Sequence, residues 1–477
     1  MTDAPTEALH WSSARALADA IARREVSAVD VMRAHLARIE EVNPRLNALV
    51  SLLPESEALA AAAAADSAVT RGDELGPLHG LPTGVKDLMD VAGLVTSHGS
   101  AAFAGGQPAS HDSLLAQALR RAGAVIIAKT NTPEFGLGTL TFNAVFGTTV
   151  NPYDPNRHAG GSSGGAACAV AVGMLPVADG SDSGGSLRYP AAFCNVVGLR
   201  PTAGRVASGR RGDGWTPHGV LGPMARDSPD AALLLAGIAG VHPLAPLSID
   251  EDPRRFARLD EVAMDGVRIG WSADVGGLAV DPEVRAVHGA ARTRLESHGC
   301  VVVDAEPDFA DADAAWEIIE VFNFFASGAD LVERFGDALG EEYRRNVAQG
   351  AALTASELVW ALERRTDIFR DTARMLEHHD VLVFPATPVA APEASVRWVA
   401  NVDGVGYDRY FCWQMMANRL TMTAHPVLVT PAGSTDGGLP IGLQVVGRHR
   451  SEHPLLSIGA AIETALGHVG RRPPAFP

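Results

Sequence analysis

Short runs rich in β-branched residues recur along this chain, separated by stretches of helical periodicity. They fall at residues 124–128 (AVIIA), 175–178, 267–271 (VRIGW), 301–303, 381–384, 427–430 and 441–446. Strands that are apolar along their whole length need cover on both sides. The alternation therefore predicts an α/β fold: a mixed, mostly buried, twisted sheet with helices on both faces. No internal repeat of the solenoid kind is visible.

Charge and cysteine usage narrow the function classes. Thirty-nine Lys and Arg against 56 Asp and Glu leave a formal charge of −17, which repels phosphate backbones and anionic membranes unless a basic patch overrides it. No such patch is visible, so neither nucleic acid nor membrane is an expected partner. Cys168, Cys194, Cys300 and Cys412 are sparse and lack C-x-x-C spacing, and read as reduced residues of a cytoplasmic protein. The first ten residues show no basic stretch leading into an apolar one, and no apolar run is long enough to span a bilayer.

Locally, residues 27–39 (SAVDVMRAHLARI) pair an N-cap serine with an aspartate three residues on and then apolar positions at helical spacing, which predicts a capped amphipathic helix. The alanine-rich stretch 58–65 is helix-forming and carries no chemistry. Residues 307–413 are mainly helical in pattern and hold Trp316, Phe324, Phe325, Trp360, Trp398, Tyr410 and Trp413. These aromatics are equally suited to helix packing and to walling a pocket.

Residues 158–205 differ in character. Two glycine–serine clusters, 160–165 and 183–186, flank an apolar run and the short strand at 175–178. Glycine is costly to order, and two clusters beside buried elements suit backbone N–H groups converging on a developing oxyanion. A serine hydroxyl then needs a base. Lys86, in GLPTGVKDLMDVAG, has an apolar setting that would lower its pKa and let a neutral amine accept a proton. The competing reading is a partly exposed lysine paired with Asp87 or Asp90.

Together, GLPTGVKDLMDVAG, AGGSSGG, GSDSGGSLRYPAAFCNVVGLRPT, LGPMARD (221–227), DVLVFPATP (380–388) and GLPIGLQVVG (438–447) resemble the amidase signature family in order and across most of the chain. The resemblance implies one domain over 1–477, with a catalytic core at about 75–230, a variable helical substrate-side segment at about 307–413 and a return to the core over 414–477. It implies Ser186 as nucleophile, Ser162 as a proton-shuttling serine behind a non-proline cis peptide bond, and Lys86 as base. It further implies an oxyanion hole of the backbone N–H groups of Ser183, Gly184, Gly185 and Ser186, with Ser163, Asp182 and Arg188 supporting the loops. No metal or organic cofactor is called for. By family position Phe135 and Gly136 border the acyl pocket, and Trp215 is a weaker pocket residue. The small residue at Gly136 and the nearby aromatics point to apolar or aryl amides, with carbamates (urethanes) and esters as further substrates. A homodimer is the default assembly.

Other readings compete. G-x-S-x-G occurs twice within 160–165 and suggests an α/β-hydrolase triad, for which His425 is the one downstream histidine in a strand-like setting. Adjacent His378 and His379 diverge on a helix and do not suit a metal site. The glutaminase-type subunit of a tRNA-dependent amidotransferase also resembles this family, although Tyr189 stands where those subunits usually carry Gln. A non-catalytic binding protein is disfavoured by the presence of all three relay residues.

Overall fold

Eleven strands form one sheet in the computed structural model, which describes residues 9–209 and 212–477. In chain order they are β1 (Leu49–Leu52), β2 (Pro82–Lys86), β3 (Val125–Thr130), β4 (Val177–Asp182), β5 (Val197–Arg200), β6 (Val220–Ala225), β7 (Arg268–Trp271), β8 (Val301–Asp304), β9 (Val381–Pro385), β10 (Val427–Ser434) and β11 (Pro440–Val446). Their order across the sheet is β1-β3-β2-β4-β6-β5-β10-β11-β9-β7-β8. The trios β3-β2-β4 and β9-β7-β8 are parallel and the remaining pairs antiparallel, so the sheet is mixed as expected.

Every residue of β2, β3, β6, β9 and β11 is buried, which is what helices on both faces require. Each fully buried Val or Leu among them contributes roughly 1.5–3 kcal/mol. The run at 301–303 does form a strand, but an edge one: Val301 and Val303 of β8 are about half exposed.

Helix α1 (Ala28–Leu46) begins as expected, with Ser27 accepting the backbone N–H of Asp30, and continues past Pro44 to end where Asn47 turns left-handed. The alanine stretch lies inside α2 (Glu55–Arg71). Around the site come α3 (Gly164–Ala171), α4 (Arg188–Phe193), α5 (Ala312–Phe335), α6 (Glu341–Ala351), α7 (Ala355–His378) and α8 (Met415–Met422). Helix α5 packs on α6, α7 and α8. None of the described helices is long and apolar enough to cross a membrane.

Candidate active site

The site is assembled at the C-terminal ends of β2 and β4. These strands are parallel neighbours with Gly84 opposite Ala178, so two residues further on Lys86 comes level with Gly180 and reaches Ser181. The Lys86 side chain is fully buried, and its Nζ hydrogen-bonds Ser162 Oγ at 2.6 Å, Ser163 Oγ at 2.9 Å and Ser181 Oγ at 2.9 Å. Among the described residues it forms no ion pair. The pairing of Lys86 with Asp87 or Asp90 does not occur: Asp87 turns to Ser97 and to Lys129, 3.6 Å away. Burial pulls the Lys86 pKa down to about 7, while Asp179 and Asp182 at longer range pull weakly upward. Asp179 accepts the Lys86 backbone N–H at 2.9 Å, and burial raises its own pKa to about 6.

The two serine loops are tied together. The peptide bond Gly161–Ser162 is cis, as the resemblance implied. Beyond it the Ser163 N–H donates to the Ser186 carbonyl at 3.1 Å, and the Ser181 N–H to Ser163 Oγ at 3.2 Å. Ser186 is 8% exposed and lines the same cavity as Ser162.

Asp182 organises the turn that carries Ser186. Its carboxylate accepts the N–H of Gly185 at 2.9 Å and of Leu187 at 3.0 Å, and two bonds from Arg188 at 2.8 and 3.0 Å. Burial opposes the carboxylate's charge, but Arg188 and Arg200 outweigh it and hold Asp182 well below the usual carboxylate range. Arg188, itself fully buried, also donates to the Ala417 carbonyl, Gln444 Oε1 and Thr421 Oγ1, each at 2.8 Å. Gly185 has φ +107°, and a Cβ there would stand 2.7 Å from Ala417 Cβ. One amide of the expected oxyanion set is engaged within this turn. Because the Gly185 N–H is spent on Asp182, the amides left without an acceptor among the described residues are those of Ser183, Gly184 and Ser186.

Above these loops lies a cavity of about 230 Å³. Phe135 and Gly136 line it; Phe135 stacks on Tyr343 with ring centroids 4.3 Å apart, and a Cβ on Gly136 would lie 3.3 Å from Ser162 Oγ. Trp215 does not line it: its backbone N–H donates to Asp213 Oδ1 in a turn that leaves the residue 70% exposed. Of the aromatics in the helical segment, Phe324, Tyr343 and Tyr410 line the cavity, and Trp316 donates from Nε1 to the Ser183 carbonyl at 3.3 Å. Trp398 and Trp413 line an adjoining cavity, while Phe325 and Trp360 are partly exposed at the surface. Sequence reasoning missed Ser181, Asp179 and Glu320. The first two lie in the strand that precedes the second glycine–serine cluster, and only the β2–β4 register reveals their role; Glu320 carries no motif.

The geometry can now be set beside known proteins. A family model described as Amidase matches residues 30–456. The chain belongs to the amidase signature family. This amidase, a hydrolase of amide C–N bonds, is 34% identical over 475 residues to an acylamidase of Rhodococcus erythropolis, covering 98% of each chain. It is also 34% identical to a glutamyl-tRNA(Gln) amidotransferase subunit of Thermosynechococcus vestitus, over 93% of this chain and 95% of that one. Among solved structures, a bacterial aryl acylamidase of the amidase signature family superposes with a TM-score of 0.88 at 27% identity, covering 98% of this amidase and 99% of that chain. A 6-aminohexanoate cyclic dimer hydrolase follows the same path with a TM-score of 0.85 at 28% identity, covering 98% and 100%. The triad reading finds no support in the fold: His425 is buried beside Phe369 and His449, its Nδ1 faces the Thr423 carbonyl at 2.7 Å, and burial lowers its pKa to about 4.

Proposed function

We propose that this amidase hydrolyses apolar or aryl amides through an acyl-enzyme, with Ser186 as nucleophile, Ser162 as proton shuttle and Lys86 as base. The observation that carries this reading is a buried lysine whose three partners are all hydroxyls. Three partners suit the three N–H bonds of an ammonium, and equally the two N–H bonds and one lone pair of a neutral amine. A proton arriving from Ser162 therefore needs no rearrangement around Nζ. Ser186 attacks the carbonyl carbon as its proton passes to Ser162 and the Ser162 proton to Lys86. The amides of Ser183, Gly184 and Ser186 hold the oxyanion. Reversal of the relay protonates the departing nitrogen, and water cleaves the acyl-enzyme by the same route. Carbamates and activated esters enter the same chemistry.

The test is a hydrolysis panel of aryl amides, carbamates, esters and primary amides. Ser186→Ala is expected to lower kcat by on the order of 10³-fold or more on every substrate cleaved. Lys86→Ala is expected to cost about 10²–10⁴-fold on amides and clearly less on activated esters, whose leaving groups need no proton. Equal losses on both classes would refute the proton-delivery role.

Similarity to an amidotransferase component favours a second reading, ammonia release from glutamine for a partner. Turnover of synthetic amides by the isolated chain, unchanged by added amidotransferase partners, would support the first reading over the second.

A further inference from the structure

Glu320 on α5 is the one Asp, Glu, Lys or Arg among the described residues lining the cavity. Its Oε2 lies 3.0 Å from Nε2 of His218, and no other hydrogen bond or ion pair reaches the carboxylate from the described residues. His218 is buried, and its burial holds the ring below the ordinary histidine range. A neutral ring donating from Nε2 orients the carboxylate but does not cancel its charge.

The surrounding stripe offers acceptors. Asn323 and Ser327 follow Glu320 at i+3 and i+7 and also line the cavity, so all three share a helix face. Asn323 spends an Nδ2 donor on the Ile319 carbonyl at 2.7 Å, and Ser327 its hydroxyl proton on the Asn323 carbonyl at 2.7 Å. Asn323 keeps its Oδ1 and one Nδ2 N–H, and Ser327 keeps the lone pairs of Oγ, so each can offer an acceptor beside the carboxylate. Position along α5 supplies a ruler. Trp316, which touches the Ser183 carbonyl at the turn before the nucleophile, precedes Glu320 by four residues, a rise of about 6 Å.

We propose that Glu320 is a specificity determinant that recognises a protonated amine, so that the preferred substrates are amides carrying a primary ammonium about one helical turn from the scissile carbonyl. An anion in a mostly apolar cavity gains most from a group that brings opposite charge and only donors. An ammonium does both, and Asn323 and Ser327 accept its remaining N–H bonds. His218 is a positioning residue in this scheme. The inference rests on the reaction proposed above and deepens it by naming the substrate class.

The experiment compares isosteric pairs that differ by NH₃⁺ for CH₃. One pair places the amine in the acyl half, δ-aminovaleryl against hexanoyl para-nitroanilide. The other places it in the leaving half, N-(ω-aminopentyl)benzamide against N-hexylbenzamide. In the wild type the amino member of at least one pair is expected to have kcat/KM about tenfold higher, carried mainly by KM. Glu320→Gln is expected to bring that ratio to about one, a comparison made within one protein and independent of its overall activity. Ratios at or below one in both pairs, or a preference that Glu320→Gln retains, overturn the proposal. Should that variant not accumulate, wild-type inhibition decides: pentylammonium must compete with the neutral anilide at lower concentration than pentanol does. Cleavage of the neutral members, lost in Ser186→Ala, reads the underlying reaction separately.

Discussion

Lys86 and Lys129 are both buried lysines at the ends of adjacent parallel strands, yet their surroundings divide them. Lys129 has Asp87 at 3.6 Å, the Met89 carbonyl and Thr96 Oγ1 around it, the setting of a structural cation. Among the described residues Lys86 Nζ has hydroxyl partners alone, and desolvation with no adjacent counter-ion among them brings its pKa to about 7. In the proposed relay this amine is the base, and a base must be unprotonated to act. Below that pKa the ammonium cannot accept the relayed proton, so kcat/KM on amides is expected to fall as pH drops through about 7 and to level off above it. Lys86→Arg keeps the charge and the donors but stays protonated throughout. It is expected to lose as much amidase activity as Lys86→Ala and to show no such pH limb. A variant Arg enzyme retaining the limb would mean that another group titrates.

Among the elements, the turn from β4 into α4 depends most on one side chain. Asp182 closes it by binding two backbone N–H groups and Arg188, and Arg188 in turn reaches Gln444 on β11 and Thr421 on α8. Asp182→Asn would leave Arg188 and Arg200 buried without their anion, and breaking a buried pair in this way costs about 3–5 kcal/mol. The variant is expected to unfold at clearly lower temperature or denaturant concentration and to lose activity with it. An unchanged midpoint by circular dichroism would show that the network does not hold the turn. The element-level reading also explains what the sequence hid. Strand β2, which delivers Lys86, reads PTGVK, and β6 reads VLGPMA. Proline and glycine break the apolar run that marks a strand, and these segments become strands through pairing with β3, β4 and β5. The runs at 267–271, 381–384, 427–430 and 441–446 lie in β7, β9, β10 and β11, because each is apolar enough to be buried on its own account.

Taken as one body, the molecule offers no seam at which to divide the sheet. Strands β10 and β11, the last in the chain, stand between β5 and β9 and join the part that holds the serines to the part that holds β7, β8 and the helices of the cavity wall. Unfolding by denaturant is therefore expected to follow one transition, with far-ultraviolet circular dichroism and tryptophan fluorescence coincident. The buried Trp271, Trp316 and Trp413 report from different regions, so two resolved transitions would show independent units after all. The order of polar and apolar residues was enough to indicate an α/β chain, and its ordered motifs were enough to mark the resemblance to the amidase signature family, since patterning and side-chain type are local properties. Folding alone decided that hydroxyls gather around Lys86 while Asp87 stands by Lys129, that the Gly185 amide belongs to Asp182, that Trp215 faces solvent and that Glu320 enters the cavity. Each of those outcomes depends on which groups a distant strand or helix brings within a few ångströms, and desolvation and hydrogen bonding act only over that range.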